Sequence, residues 1–192
     1  MTTAQLPVRN RVKWTVEEFE HLTELGTFDG RRLELLDGEI TDKMSQNQPH
    51  FNAVLLMQYK LLSLFGQGYL VLIQLPMHIG DSKPEPDAAV IEGVPQRELP
   101  IPSTALLVVE IADTTLDSDR DVKSHIYARA GIPDYWIVDI NARQIEVRRD
   151  PRADPTKPLG WTYGSLQTLG ETDSIAPLAR PDASFPVFDV LP

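Results

Sequence analysis

The segment at positions 106–139, LLVVEIADTTLDSDRDVKSHIYARAGIPDYWIVD, has the pattern of a strand, a polar loop, a helix and a second strand. Its first six residues, Leu106 to Ile111, are apolar except for Glu110, which predicts a strand buried on both faces. A carboxylate in such a strand is costly to bury unless it is paired, protonated or bound to a cation. Glu110 is therefore the first candidate functional residue.

A helix is predicted to begin near Asp119 or Asp121 and to end at Gly131, which is followed by Pro133. Lys123 and Tyr127 are four residues apart and so share a face. The predicted packing face consists of Val122, Ile126 and Ala130. The acids of the preceding loop, Asp113, Asp117, Asp119 and Asp121, favour the positive end of this helix. We interpret them as capping and solvating groups, with a calcium-binding loop as the alternative.

The N-terminal region predicts a helix followed by a hairpin. Thr15 and Glu18 have the spacing of a capping box, which predicts a helix over residues 16–25. Asp37-Gly38 between two apolar-rich segments is typical of a type I′ hairpin turn. This places Glu34 and Glu39 on the hairpin strands.

The rest of the chain completes an α/β pattern. A helix is predicted over the apolar-rich segment HFNAVLLMQYKLLSLFG, before a stop at Gly66. Buried strands are predicted at Tyr69 to Leu75 and Tyr135 to Ile140, a short strand at Ala88 to Ile91, and a hairpin partner at Gln144 to Arg149. Weak strands are predicted at 161–163 and 165–169, and the C-terminal ASFPVFDVL is expected to dock on the body. We expect one α/β domain over residues 1–192, with its core at about 15–150 and an extension at 151–192, built on a central mixed sheet flanked by helices.

The composition narrows the function classes. The chain has 192 residues, no cysteine and a formal net charge of -10. A disulfide framework and a thiolate zinc site are excluded, and a reducing, cytoplasmic location is expected because no signal peptide or membrane span is recognised. The negative charge argues against a protein that coats nucleic acid. The closely spaced Arg143, Arg148, Arg149 and Arg152 are compatible with either a solvated edge or a track for phosphates.

Two acids could meet at neighbouring strands. Asp87 stands at the start of one predicted strand and Glu110 lies in the next, so their carboxylates could share a hard cation such as Mg²⁺ or Mn²⁺. The main-chain carbonyl of Ile111 is a natural additional ligand. Lys123, on the following helix, could direct its ammonium at the same point, as in metal-assisted phosphodiester hydrolysis.

Three motifs together resemble a known group of enzymes. PDAAV at 86–90, VVEIA at 108–112 and DVKSHIYARAGIPDYWIVD at 121–139 resemble the PD-(D/E)XK nuclease superfamily, and in particular its bacterial Uma-type family of restriction-endonuclease-like proteins. The opening TVEEF and the ELLDGEI hairpin are similar to that family too. The resemblance covers most of residues 15–150 and implies a restriction-endonuclease-like core with an N-terminal helix and hairpin.

The resemblance also implies roles for individual residues. Asp87 and Glu110 would bind the metal, Lys123 would be the catalytic lysine, and Glu39 would be an additional acid near the metal. Residues expected to surround the same cavity are Gln74, His50 and Tyr127. One position departs from the superfamily pattern, because the lysine usually found two residues after the glutamate is here Ala112. Lys123 can replace it only if its side chain reaches the site.

These observations predict a Mg²⁺- or Mn²⁺-dependent endonuclease that hydrolyses DNA. The alternative is a binding or assembly module that keeps the nuclease scaffold and its metal without catalysis. A homodimer is expected because cutting two strands needs two sites, and such domains often pair through sheet edges or C-terminal segments. No membrane partner is expected.

Overall fold

The chain begins with a helix and a hairpin in the computed structural model, which describes residues 12–43 and 47–192. The first elements are α1 (Val16–Glu24), β1 (Leu33–Leu36), β2 (Glu39–Asp42) and α2 (Gln48–Phe65). The Thr15 hydroxyl accepts a hydrogen bond from the Glu18 N–H, and the Glu18 carboxylate accepts one from the Thr15 N–H. Asp37 and Gly38 both have positive φ, at 49° and 75°, as a type I′ turn requires. The predicted capping box and hairpin are confirmed, whereas the expectation about a signal peptide at the N-terminus lies outside the described residues.

A six-stranded mixed sheet forms the centre of the fold. Its strands are β3 (Tyr69–Ile73), β4 (Ala88–Glu92), β5 (Leu107–Ala112), β6 (Asp134–Asp139), β7 (Gln144–Ala153) and β8 (Trp161–Gly170), in this order across the sheet. β5 and β6 are parallel, and the other neighbours are antiparallel. All residues of β5 and β6 are buried, because both lie in the interior of the sheet and both faces are covered. The predicted α/β fold class is observed.

The two faces of the sheet carry different cores. Val109 and Ile111 belong to the core that contains the buried side of α2. The C-terminal strands β9 (Ser174–Ile175) and β10 (Phe185–Pro186) and the 3-10 turn Val187–Val190 contribute to the same core, so the expected docking of the C-terminus is confirmed. Val108 and Ala112 belong to the other core. Strand alternation gives Glu110 the same face as these two residues.

The connection from β5 to β6 contains a π-helical turn. It consists of α3 (Leu116–Ser118), the π turn Asp119–Lys123 and α4 (Ser124–Arg129), so the helical region begins earlier than predicted. Ile126 is fully buried, but Val122 is 37% exposed and its predicted place on the packing face is wrong. The buried side of the π turn instead runs through Asp119 and Lys123, which are 1% and 5% exposed.

Two strand predictions need correction. The predicted buried strand from Tyr69 to Leu75 ends at Ile73, and most of its residues are only half-buried. The reason is that β3 is an edge strand with a single neighbour, β4. The two weak strands predicted at 161–163 and 165–169 form one continuous strand, β8, paired along its length with β7. Among the described residues, no helix combines the length and apolar content needed to cross a bilayer.

The difference between Ile126 and Val122 can be measured by substitution. Ile126→Ala should lower the free energy of unfolding by about 2–5 kcal/mol, because it removes buried methyl groups and leaves a cavity. Val122→Ala should cost less than about 1 kcal/mol because the side chain is partly exposed. Urea unfolding followed by circular dichroism measures both. Equal losses for the two variants would contradict the observed burial of Ile126 and exposure of Val122.

Candidate active site

Asp87 and Glu110 lie opposite each other, where β4 begins and β5 approaches its end. Ala88 pairs with Val109 in the antiparallel register of β4 and β5, so the next pair outward is Asp87 and Glu110. Directly opposite residues of an antiparallel pair point to the same face. Both carboxyl groups are almost completely buried. The strand register therefore brings together two acids that are distant in sequence.

The Asp87 carboxylate is surrounded by hydrogen-bond donors. Gln74 donates to Oδ1 at 3.2 Å, His50 Nε2 lies 3.2 Å from Oδ2, and the Ile111 N–H donates to Oδ2 at 2.8 Å. Burial alone would raise the pKa of Asp87, but the contact with His50, the charge of Lys43 and the hydrogen bond from the Ile111 N–H outweigh it and lower the pKa to about 2. Asp87 is therefore held as a carboxylate; His50 lines the cavity, whereas Gln74 contacts Asp87 without lining it.

The backbone supports this arrangement at two points. Gln74 has a positive φ of 51°, an uncommon conformation for a residue other than glycine, and its N–H donates to the Asp87 carbonyl. The N–H of Ile111 points at Asp87. Because the N–H and C=O of one strand residue point to the same side, the Ile111 carbonyl also faces this end of β4.

Glu110 binds two side chains from the helical segment. Its Oε1 atom accepts hydrogen bonds from Lys123 Nζ at 3.0 Å and from the Tyr127 hydroxyl at 2.7 Å. The two donors share a helix face, as their spacing predicts. Burial raises the pKa of Glu110, Lys123 opposes the rise, and nearby acids add to it, so the pKa reaches about 8. Glu110 and Asp87 thus differ in protonation behaviour at neutral pH.

Lys123 is buried and is shared by three carboxylates. Its Nζ lies 3.0 Å from Glu110, 3.2 Å from Glu34 and 3.7 Å from Asp119. Burial disfavours the charged form, but the surrounding carboxylates outweigh it and raise the pKa of Lys123 above its usual range. The ammonium therefore stays charged and points to the site rather than to solvent.

Glu34, rather than Glu39, is the hairpin acid at this site. Glu34 lies in the buried part of β1 and its Oε1 also accepts the Glu85 N–H at 2.7 Å. Glu39 is exposed, pairs with Leu36 across the hairpin and is not among the residues that line the cavity. Its expected place near the metal therefore needs correction. The available signal for Glu34 was the one used for Glu110, namely a carboxylate flanked by apolar residues in a short strand.

Asp119 is the second acid that our interpretation of the sequence missed. Its interpretation as a capping and solvating group is wrong, because it is buried in the π turn and lines the cavity. Oδ2 accepts a hydrogen bond from the Thr115 hydroxyl at 2.7 Å, whereas Oδ1 has no hydrogen-bond partner. Burial is the main cause that raises the pKa of Asp119. The available signal was its position four residues before Lys123.

These groups line one cavity of about 210 Å³. Its wall includes Glu34, Thr41, Asp42, Lys43, Asn47, His50, Asp87, Glu110, Ile111, Asp113, Thr115, Asp119 and Lys123. Gln74 and Tyr127 stand behind this wall and act through Asp87 and Glu110. Carboxylates thus outnumber the lysines around the cavity, which leaves an excess of negative charge in a buried place.

The donor set fits a hard divalent cation that keeps part of its water shell. Mg²⁺ is usually bound through one or two carboxylates and several waters, rather than by a full cage of side chains. In residues 12–43 and 47–192, no group of three or more His, Cys, Asp or Glu side chains is arranged as such a cage. Asp87, Glu110 and the Ile111 carbonyl could provide the smaller donor set, and the unpartnered Oδ1 of Asp119 is a further oxygen at the same cavity.

The arginines at the end of the sheet do not form a free phosphate track. Arg143 binds Glu171, Arg148 binds Glu146, and Arg149 binds the fully buried Asp134. Arg152 is exposed and lies 3.6 Å from Asp150. Because each guanidinium already faces a carboxylate, this cluster has mainly a structural role.

The raised pKa of Glu110 predicts how stability depends on pH. Between about pH 5 and 8 the folded protein keeps a proton that the unfolded chain, with a Glu pKa of 4.5, has released. This group therefore lowers stability as pH rises through that window. The Glu110→Gln variant has no such proton to release. As the pH is raised from 5 to 8 in EDTA, its melting temperature should therefore increase relative to that of the wild type. The control Glu98→Gln changes an exposed loop residue; equal pH profiles for all three proteins would contradict the assignment.

Comparisons with known proteins show the family and the fold of this chain. A solved structure described as a "putative nuclease belonging to DUF820", from Anabaena variabilis, superposes with a TM-score of 0.68 at 13% identity, covering 92% of this chain and 96% of that chain. This likeness shows a shared fold. A search of curated proteins found no match. The model of the Uma2 family, described as "Putative restriction endonuclease", matches residues 16–186, so the chain belongs to the Uma2 family.

Proposed function

We propose that the protein is a nuclease that hydrolyses DNA phosphodiester bonds with Mg²⁺ or Mn²⁺. The observation that carries the proposal is the meeting of Asp87 and Glu110 on one face, with Lys123 bound to Glu110 inside the same cavity. Membership of the Uma2 family supports the nuclease class.

Asp87, Glu110 and the Ile111 carbonyl would hold the cation. A bound divalent cation would supply a Lewis acid that polarises the phosphate and lowers the pKa of water. Asp87 is ionised already, and His50, Gln74 and the Ile111 N–H fix its orientation. Glu110 must lose its proton for the carboxylate to serve as a ligand, so binding should release a proton.

Lys123 would offset the negative charge that develops on the phosphate. It reaches Glu110 from the neighbouring helical segment, so an ammonium is present although the usual lysine position holds Ala112. Glu34 and Asp119 hold this ammonium in place, and the π turn positions Asp119 and Lys123 toward the same cavity. A fixed charge of this kind stabilises a transition state because it needs no rearrangement during the reaction.

Metal binding by the two acids can be tested directly. In titrations with Mn²⁺ followed by calorimetry, Asp87→Asn and Glu110→Gln should each weaken binding by about tenfold or more, since each removes a charged oxygen ligand. The control Glu98→Gln should bind as the wild type does. Unchanged binding in both site variants would exclude this metal site.

The role of Lys123 can be separated from metal binding. Lys123→Gln keeps hydrogen-bond donors but removes the charge, so plasmid cleavage should fall by about 100-fold or more while Mn²⁺ affinity stays the same or increases. Lys157→Gln, in an exposed loop, is the matched control. If Lys123→Gln cleaves plasmid DNA at the rate of the wild type, the role of the lysine is rejected, whereas the assignment of the metal site is unaffected.

A binding or assembly module that keeps the metal without catalysis is the second candidate. The observation in its favour is that the Lys123 ammonium lies within 4 Å of three carboxylates, so its charge is already engaged inside the protein. Mn²⁺ binding without cleavage of double-stranded DNA, single-stranded DNA or RNA would favour this candidate. Cleavage lost in Glu110→Gln would argue against it.

A further inference from the structure

The outward side of α2 carries an apolar stripe. Phe51, Leu55, Tyr59 and Leu62 follow one another at spacings of four, four and three residues, which places them on one helix face. They are between 47% and 75% exposed. The opposite side of the helix is also apolar and packs against the sheet. In the described part of the chain, α2 is therefore apolar on two sides, and only the side that faces the sheet is covered by other residues.

Two further side chains enlarge this stripe. Leu56 is exposed next to it, and Phe188 is 59% exposed on the 3-10 turn that packs against α2. The Lys60–Asp189 ion pair fixes that turn to the helix. We call these six residues, Phe51, Leu55, Leu56, Tyr59, Leu62 and Phe188, the α2 surface.

The α2 surface lies at the upper end of the size range for apolar patches of monomeric proteins. Taking about 200 Å² for each fully exposed large side chain, its exposed fractions correspond to roughly 600 Å² of mostly apolar area. The largest apolar patch of a typical monomeric protein is about 300–600 Å². A standard protein interface buries about 800 Å² on each partner, so the α2 surface could supply most of one.

We propose that the α2 surface is the interface between two copies of this chain, related by a two-fold axis. Two copies with a net charge of -10 each repel one another, so they can meet only where carboxylates are absent. α2 contains no Asp or Glu, and its single lysine is already paired with Asp189. An apolar, uncharged stripe is complementary to itself, as a two-fold interface requires. A nucleic acid would instead require unpaired Lys or Arg side chains on this surface to bind its phosphates.

The interface would be continuous with the candidate active site. His50, which contacts Asp87, directly precedes Phe51 at the start of α2. An 18-residue helix is about 27 Å long, so a two-fold axis near its middle would leave the two cavities on either side of the helix pair. This differs from the pairing through sheet edges that the sequence analysis expected, and the C-terminal segment contributes one residue, Phe188. It goes beyond the proposed nuclease function and does not depend on it.

The oligomeric state of charge variants tests the proposal without metal or DNA. In light scattering after gel filtration, the wild type should have about twice the chain mass of 21.5 kDa, and Leu55→Glu/Leu62→Glu should have the mass of one chain. Leu166→Glu is the matched control, because Leu166 is 63% exposed on the edge strand β8. It should remain a dimer. A monomeric wild type, or a dimer lost only in Leu166→Glu, would overturn the proposal.

Cysteine cross-linking gives a second measurement that does not disturb the stripe with charge. The chain has no cysteine, so any disulfide must come from the introduced residue. Tyr59→Cys, near the middle of α2, should form a covalent dimer under mild oxidation, whereas Leu166→Cys should not. Efficient cross-linking of Leu166→Cys with none of Tyr59→Cys would place the interface at the sheet edge and reject the α2 surface.

Discussion

The fold and the candidate site both depend on a carboxylate inside a strand that is buried on both sides. Glu110 lies in β5, where every residue is buried, so its charge has no access to bulk water. Such a group needs partners, because removing one partner of a buried ion pair is far more costly than removing an exposed one. Lys123 and Tyr127 provide these partners. The helical segment must therefore pack over β5 in one register, and this register also positions Asp119.

Local patterns predicted much of this arrangement. The capping box at Thr15, the Asp37-Gly38 turn and the apolar run of β5 depend on residues close in sequence, and each was recognised. The pairing of Asp87 with Glu110 needed one further assumption, that β4 and β5 are neighbours, which the observed register bears out. Strand alternation then decides the shared face of the two acids.

The failures have a different physical origin, because they concern contacts between distant segments. Which hairpin acid faces the cavity depends on how the hairpin docks, and the hydrogen bond from the Lys83 N–H to the Leu35 carbonyl that docks it is encoded by no local pattern. Which face of the β5–β6 connection points inward depends on the contacts that Lys123 and Tyr127 make with Glu110 of β5, which no local pattern encodes. Asp119 was therefore assigned to solvent and Val122 to the core, the reverse of what the structure has.

The environments of the two central acids suggest why the site combines so many groups. His50, Lys43 and the Ile111 N–H keep Asp87 ionised, whereas burial and neighbouring carboxylates raise the pKa of Glu110. One ammonium cannot neutralise Glu34, Glu110 and Asp119 together, so the cavity must gain a proton or a cation. Proton uptake at Glu110 and cation binding are therefore alternative ways to balance the same charge. Because the two compete, the buried carboxylates that destabilise the empty cavity are also those that would favour a divalent ion.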